Sequence, residues 1–129
     1  MLGRLCLSGG ITKLSDSQWS IVTEAMSFYE KIKGVIKHGE SAYYPSVAPS
    51  WRHLRGGFAL RRISLDGKSA IAYFFAFNEA PKTLNLYMPD GNWTIADRFG
   101  DGEAVCDGHS VKFTPAVPMS CLILSMHNA

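Results

Sequence analysis

The sequence has almost no excess of charge of either sign. Its 13 lysines and arginines stand against 11 aspartates and glutamates, which gives a formal net charge of +2. A nucleic-acid-binding surface needs clustered positive charge, so this balance predicts no nucleic acid as a partner. Long apolar runs are also lacking, since no stretch reaches the roughly 18 apolar residues that a membrane helix needs. The opening residues have no signal-peptide pattern. We therefore expect neither a membrane span nor a membrane partner.

Cysteine is scarce as well. The three cysteines, Cys6, Cys106 and Cys121, are an odd number at wide spacing. This pattern fits neither a disulfide framework nor a CxxC metal site. Because two of them lie inside apolar runs, we predict small buried hydrophobic side chains in a reducing compartment, the cytoplasm.

Motifs of a self-contained catalytic or metal site are missing too. Ser8-Gly9-Gly10 matches neither the GxSxG nucleophile elbow nor a phosphate loop. The histidines have no ligand spacing, and the aspartates that precede glycine have the pattern of hairpin turns, not of an EF-hand. These residues are His38, His53, His109 and His127, and Asp66, Asp90, Asp101 and Asp107. We predict no catalytic residue, no metal ligand and no cofactor in this chain.

What the sequence does contain is a well-marked helix. Ser15 precedes a helical pattern and Gln18 follows three residues later, which predicts a capping box at the start. Gly39 is expected to end the helix in the left-handed conformation, after Lys37 and His38 in the last turn. The predicted helix therefore covers Asp16–His38.

The apolar face of this helix is broad and covers two adjoining stripes from Trp19 to Ile36. Such a face needs cover on about half its circumference. The usual reading is a core helix of a globular protein. If no larger body covers the helix, we expect the chain to self-associate through the Trp19–Ile36 face.

The remaining chain divides into three parts. Residues 2–7 form an apolar run that predicts a buried strand, and Ser8, Gly9 and Gly10 form a turn that leads towards the helix. Residues 1–39 thus resemble the strand and helix of half a βαβ unit. Residues 40–50 contain two prolines and no helical period, so we predict a linker.

Residues 51–129 change to short apolar runs separated by turn residues. We predict strands at 58–63, 70–77, 83–88, 93–97, 104–106, 110–114 and 119–126. Regularly spaced antiparallel strands of this kind are typical of a β-sandwich. The predicted fold is mainly β, with a C-terminal antiparallel β-sandwich preceded by one long amphipathic α-helix.

The first 40 residues resemble a known family. Residues 3–9, Gly-Arg-Leu-Cys-Leu-Ser-Gly, together with Leu14-Ser15, Gln18-Trp19, Phe28-Tyr29 and Ile32, are similar to the last barrel strand and helix of melibiase-type α-galactosidases. In these enzymes a (β/α)₈ barrel is followed by a C-terminal antiparallel β-sandwich, and the resemblance covers the whole chain in that order. It implies that the chain is the tail of a longer glycoside hydrolase, with the catalytic barrel as its partner.

The resemblance also implies a chemistry. Retaining glycosidases use two carboxylates about 5 Å apart, one as nucleophile and one as acid/base. In the family both come from earlier barrel strands, so neither corresponds to a residue here. Ser8, Gly9 and Gly10 would lie at the C-terminal end of the eighth strand and contact galactosides in the full enzyme. The family usually has an aspartate where this chain has Gly10. A tight strand-to-helix turn explains the same glycines equally well.

Three functions remain open from the sequence. The first is a non-catalytic C-terminal part of an α-galactosidase-like hydrolase that stabilises the barrel. The second is a stand-alone carbohydrate-binding sandwich, which requires a row of exposed aromatic side chains on one face. The third is a protein-interaction module whose helix binds a partner. Trp51 and Trp93 could stack on sugars, although core or interface packing is the preferred interpretation.

Overall fold

The computed structural model describes residues 3, 6, 10–47 and 52–129, with only the backbone described at 45–47. A short 3₁₀ helix, Ile11–Lys13, precedes the long helix α1. In chain order the other elements are α1 (Asp16–His38), β1 (Glu40–Val47), β2 (Gly56–Ile63), β3 (Ser69–Ala76), β4 (Leu84–Tyr87), β5 (Trp93–Gly100), β6 (Glu103–Cys106), β7 (Ser110–Thr114) and β8 (Ser120–Asn128).

The strands form two antiparallel sheets that pack face to face. One sheet has the order β1-β2-β3-β8-β5 and the other has the order β4-β7-β6. The predicted fold class is confirmed: the protein is mainly β, with one long helix followed by an antiparallel β-sandwich. Each strand predicted after residue 51 is present, and several extend one to three residues beyond their predicted ends.

The helix adds a third layer, on the outer face of the five-stranded sheet. Because successive side chains of a strand point to opposite faces, the central strand β3 is buried on both sides. Ala72 and Phe74 pack in the core between the sheets. Ile71 and Tyr73 pack under α1 with Phe28, Ile32 and Ile36 of the helix. Burial on both sides explains why β3 is a continuous apolar run.

The predicted capping box is present at the start of α1. The Ser15 hydroxyl accepts a hydrogen bond from the Gln18 backbone N–H at 3.3 Å. In return the Ser15 backbone N–H donates to the Gln18 side-chain oxygen at 2.9 Å. Two of the free N–H groups of the first turn are thus satisfied locally, so the helix begins where the sequence predicts.

The end of α1 differs from the prediction. Gly39 is extended (φ −77°, ψ 167°) rather than left-handed, and β1 begins at the next residue. A Cβ at Gly39 would lie 2.6 Å from the carbonyl oxygens of both Ile63 and Val35. Glycine is needed here because the backbone of β2 approaches so closely, and not because of an unusual backbone angle.

Two glycines of this region are therefore expected to respond in opposite ways to alanine. Gly39→Ala should lower the free energy of unfolding by about 1–3 kcal/mol, because the new methyl group collides with backbone. Gly34→Ala should raise it by about 1 kcal/mol, because alanine favours the helix and a Cβ there meets nothing within 4 Å. Urea unfolding followed by circular dichroism measures both changes, and destabilisation by Gly34→Ala would contradict this account.

The predicted linker is a second difference. Glu40–Val47 is a strand that pairs with β2 along its whole length, from Glu40 opposite Ile63 to Val47 opposite Gly56. Pro45 lacks a backbone N–H, yet it is tolerated because β1 lies at the edge of its sheet. The expectation of a linker over residues 40–47 is wrong, and 48–50 lie outside the described residues.

The predicted strand at 2–7 also lies outside the described residues, apart from Gly3 and Cys6. Cys6 is exposed, while Cys106 and Cys121 are half-buried, so the prediction of three buried cysteines is wrong. Burial raises the pKa of the Cys121 thiol. In the part of the chain that the structure describes, no helix has the length and apolar character needed to cross a bilayer.

Candidate functional site

The sugar-contacting turn predicted from the sequence is only partly described. Ser8 and Gly9 lie outside the described residues. Gly10 is exposed, and its carbonyl accepts a hydrogen bond from the Lys13 N–H at 2.9 Å at the start of the 3₁₀ helix. Contact between these three residues and a sugar therefore stays a prediction.

Asp66 stabilises the turn of the β2–β3 hairpin through its hydrogen bonds. The Asp66 carboxylate accepts hydrogen bonds from the Ser64 hydroxyl at 2.6 Å and the Lys68 N–H at 3.0 Å. These two bonds, the first above all, hold the pKa of Asp66 below its usual value. A carboxylate bonded in this way stabilises the hairpin turn.

The β6–β7 hairpin repeats the arrangement. The Asp107 carboxylate accepts from the backbone N–H groups of His109 at 2.9 Å and Ser110 at 2.6 Å, and these bonds lower its pKa. The predicted hairpin roles of Asp66 and Asp107 are confirmed. Asp90 and Asp101 are different, because each lies where the chain crosses from one sheet to the other.

These pKa shifts predict a loss of stability in acid. Asp97 also has a lowered pKa, like the two hairpin aspartates, because it forms an ion pair with Lys31 at 2.6 Å. A carboxyl whose pKa is lowered by folding stabilises the protein above its unfolded pKa of about 3.9 and loses this effect as the pH falls through the folded value. The urea concentration at the midpoint of unfolding should therefore fall as the pH is lowered below about 4. Asp107→Asn should flatten this drop, and an unchanged acid profile would contradict the assignment.

The tryptophans were considered as sugar platforms, and the histidines and acidic residues as metal ligands. Trp93 is 1% exposed, and its indole N–H donates to the Pro89 carbonyl at 3.0 Å, which confirms core packing. Trp51 lies outside the described residues. Among the residues that are described, no group of three or more His, Cys, Asp or Glu side chains is arranged to hold a metal ion.

The N-terminal half of α1 presents exposed apolar side chains. Phe28, Ile32 and Ile36 are buried against the five-stranded sheet. Nearer the start of the helix, Ile21 is 58% exposed and Met26 is 45% exposed. We call residues 16–26 of α1 the overhang. The apolar face of the helix continues through this segment, but the side chains buried against the sheet begin only at Phe28.

A row of aromatic rings lies on the same sheet face as α1. Tyr43 and Phe58 have ring centroids 5.4 Å apart, and Phe58 stacks on Phe75 at 4.6 Å. The ring centroid of Phe77 lies 6.0 Å from that of Phe58. Tyr43 is 53% exposed, so the row ends in an accessible ring at the β1 edge. The sequence did not reveal this row, because its members come from three strands whose pairing joins them.

Arg55, Arg61 and Arg62, which lie close together in the sequence, have separate partners in the structure. Arg61 and Arg62 are neighbours on β2 and point to opposite faces. Arg61 donates to the Tyr87 carbonyl and Arg62 to the Val35 carbonyl. Arg55 pairs with Glu79 at 3.3 Å. These arginines hold separate parts of the fold together and do not form one charged patch.

Comparison with known proteins adds no family. No family model, no curated protein and no solved structure matches this chain.

Proposed function

We propose that this chain is the non-catalytic C-terminal portion of an α-galactosidase-like retaining glycoside hydrolase and that it stabilises the catalytic barrel. The observation that carries the proposal is the overhang of α1. Its apolar residues need a covering body, and the described part of the chain leaves Ile21 more than half exposed. In the family that the sequence resembles, the last barrel helix is covered by its neighbours in the barrel.

The spacing along α1 supports this proposal. Ile21 and Ala25 each lie seven residues before a buried side chain, Phe28 and Ile32. Residues seven apart lie close to the same side of a helix. One continuous stripe is therefore covered by the sheet at Phe28 and Ile32, half-buried at Ala25 and exposed at Ile21. The helix is about 34 Å long, so the overhang leaves room for a second large contact.

The carboxylates support a non-catalytic role. Those with lowered pKa values hold hairpin turns or pair with Lys31. Retaining hydrolysis needs two carboxyl groups that face each other about 5 Å apart. In the proposed enzyme both are supplied by the barrel, in a reducing cytoplasm that suits the three free cysteines.

The DNA upstream of the Met1 codon tests the proposal. We expect an in-frame sequence that encodes a barrel with two catalytic carboxylates, and a stop codon directly upstream would overturn it. The complete enzyme should hydrolyse 4-nitrophenyl α-galactoside, while this chain alone should not. In the complete enzyme, Ile21→Asp should shorten the half-life of activity at elevated temperature, because it places a charge in the barrel contact. Val105→Asp is the matched control, since Val105 is 68% exposed on β6.

A stand-alone carbohydrate-binding sandwich is the second candidate, favoured by the exposed ring of Tyr43 at the end of the half-buried aromatic row. Sugars stack on exposed aromatic faces, and Tyr43 offers one beside Phe58. Titration of the chain with melibiose by calorimetry separates the two candidates. Binding that Tyr43→Ala abolishes would favour the sugar-binding module, and no heat of binding would favour the barrel-stabilising role.

Self-association of the isolated chain follows from the same overhang. The predicted self-association through the whole Trp19–Ile36 face is narrowed by the structure, because Phe28, Ile32 and Ile36 already pack on the chain's own sheet. Without a barrel, two copies should bury the overhang, residues 16–26, against each other. Sedimentation velocity should show a dimer that Ile21→Asp converts to a monomer. If the upstream DNA encodes no barrel and the dimer still forms, the chain is better described as a protein-interaction module.

A further inference from the structure

A cavity of about 600 Å³ opens between α1 and strand β2. Its volume lies in the range of small-molecule sites. Basic and aromatic side chains line it, together with the helix backbone at Gly34, which has no side chain. The lining residues are Gly3, Tyr29, Lys33, Gly34, Ile36, Lys37 and Arg62.

The charge around this cavity is positive. Lys33 and Lys37 are four residues apart and so lie on one side of the helix. Among the described ion pairs, Lys33 has Glu30 as a partner, and none involves Lys37 or Arg62. The next acidic residue along the chain, Glu40, lines a different cleft. Three positive groups therefore converge on the cavity with one carboxylate to offset them.

Arg62 is held in position before any ligand arrives. Its Nε donates to the Val35 carbonyl at 3.0 Å and its Nη1 donates to the Ser41 hydroxyl at 2.7 Å. Both acceptors are uncharged, so neither bond brings a negative charge that would offset the guanidinium. A fixed guanidinium loses little conformational freedom when it binds an anion.

Gly34 keeps the helix side of the cavity open. A Cβ at this position would meet nothing within 4 Å, so the packing of the protein does not require glycine here. Glycine nevertheless weakens a helix interior. Its effect in this place is to leave space next to Ile36, between the lysines and Arg62.

We propose that this cavity binds a small phosphorylated organic molecule, with the phosphate held by Lys33, Lys37 and Arg62. A phosphate monoester carries about −1.5 to −2 charges at pH 7, which matches the positive excess. Arginine and lysine are the side chains that bind phosphate oxygens best. The cavity is much larger than a phosphate ion, so the carbon skeleton occupies the space over Gly34. This inference is independent of the barrel-stabilising role.

Calorimetric titration of the whole chain at low salt tests the proposal. The probes are inorganic phosphate, glucose 6-phosphate and, as the neutral control, glucose. We expect both phosphates to bind, glucose 6-phosphate more tightly, and glucose not to bind. Absence of binding by both phosphates would overturn the proposal.

Variants distinguish this cavity from general attraction to a basic protein. Lys37→Gln should weaken glucose 6-phosphate binding about tenfold, the usual effect of losing one charged hydrogen bond. Lys112→Gln is the control of equal charge on β7, in the other sheet, and should leave the affinity unchanged. Equal weakening by both variants would overturn the proposal.

A substitution at Gly34 separates binding from folding. Gly34→Leu should fill the cavity and abolish glucose 6-phosphate binding, while its urea midpoint stays at or above that of the unmodified chain because leucine favours the helix. Unchanged binding with an intact fold would show that the phosphate lies elsewhere.

Discussion

Replacing Trp93 with alanine is expected to lower the free energy of unfolding by about 3–5 kcal/mol, because it leaves a large cavity in a core that the substituted protein refills only in part. Trp93 is 1% exposed and packs in the core between the two sheets. Its backbone carbonyl also accepts a hydrogen bond from the Cys106 thiol at 3.1 Å. Urea unfolding followed by far-ultraviolet circular dichroism measures the loss.

Trp19 provides the matched control for this experiment. It is 40% exposed on the overhang of α1, so Trp19→Ala should cost less than about 1 kcal/mol at concentrations low enough to keep the isolated chain monomeric. Trp19→Ala should weaken self-association instead. A large loss of stability from Trp19→Ala would mean that the overhang is covered within the single chain.

The second large effect concerns the contact between α1 and the sheet. Ile32 is 1% exposed and packs against the outer face of the five-stranded sheet. Ile32→Asp places an unpaired charge there, which typically costs about 3–5 kcal/mol. We expect α1 to detach from the sheet, and loss of protection from hydrogen exchange along the helix is the direct measurement.

Ile21→Asp is the control on the same helix. Ile21 is 58% exposed, so at concentrations low enough to keep the isolated chain monomeric its substitution should change the free energy of unfolding by no more than about 0.5 kcal/mol. The two substitutions introduce the same charge in the same helix. Equal losses of stability would contradict the division of α1 into a buried half and an overhang.

The local signals in the sequence predicted the fold well. The start of α1 depends on two side chains three residues apart, Ser15 and Gln18, and this pair can be read directly from the sequence. The alternation of Leu84, Asn85 and Leu86 likewise gives a half-buried strand from local pattern alone. Both features depend on neighbours in the chain.

The failures in the fold came from long-range pairing. Pro45 indicated a linker, but β1 can accept a proline because only one side of the strand is paired. Gly39 suggested a left-handed cap, but the β2 backbone, which lies far along the chain, sets its environment. The residues next to Pro45 and Gly39 in the sequence do not indicate that β2 will pack beside them.

The candidate surfaces have the same origin. Pairing of β1, β2 and β3 brings Tyr43, Phe58 and Phe75 together, and packing of α1 on β2 brings Arg62 to the cavity of Lys33 and Lys37. The lysine spacing was visible in the sequence, whereas the arginine and the glycine opening required the tertiary structure. The sugar contact of Ser8, Gly9 and Gly10 stays a prediction.

The junction between α1 and β1 has a mechanical consequence. One residue, Gly39, separates the helix from the edge strand, and its N–H still bonds to the Val35 carbonyl at 2.8 Å. The C-terminal end of the helix is therefore joined directly to the edge strand β1 and has little freedom to move without it. A force on the overhang would act first on the contacts of Phe28, Ile32 and Ile36 with the sheet, and displacement of the helix end would then pull on the first hydrogen bonds between β1 and β2.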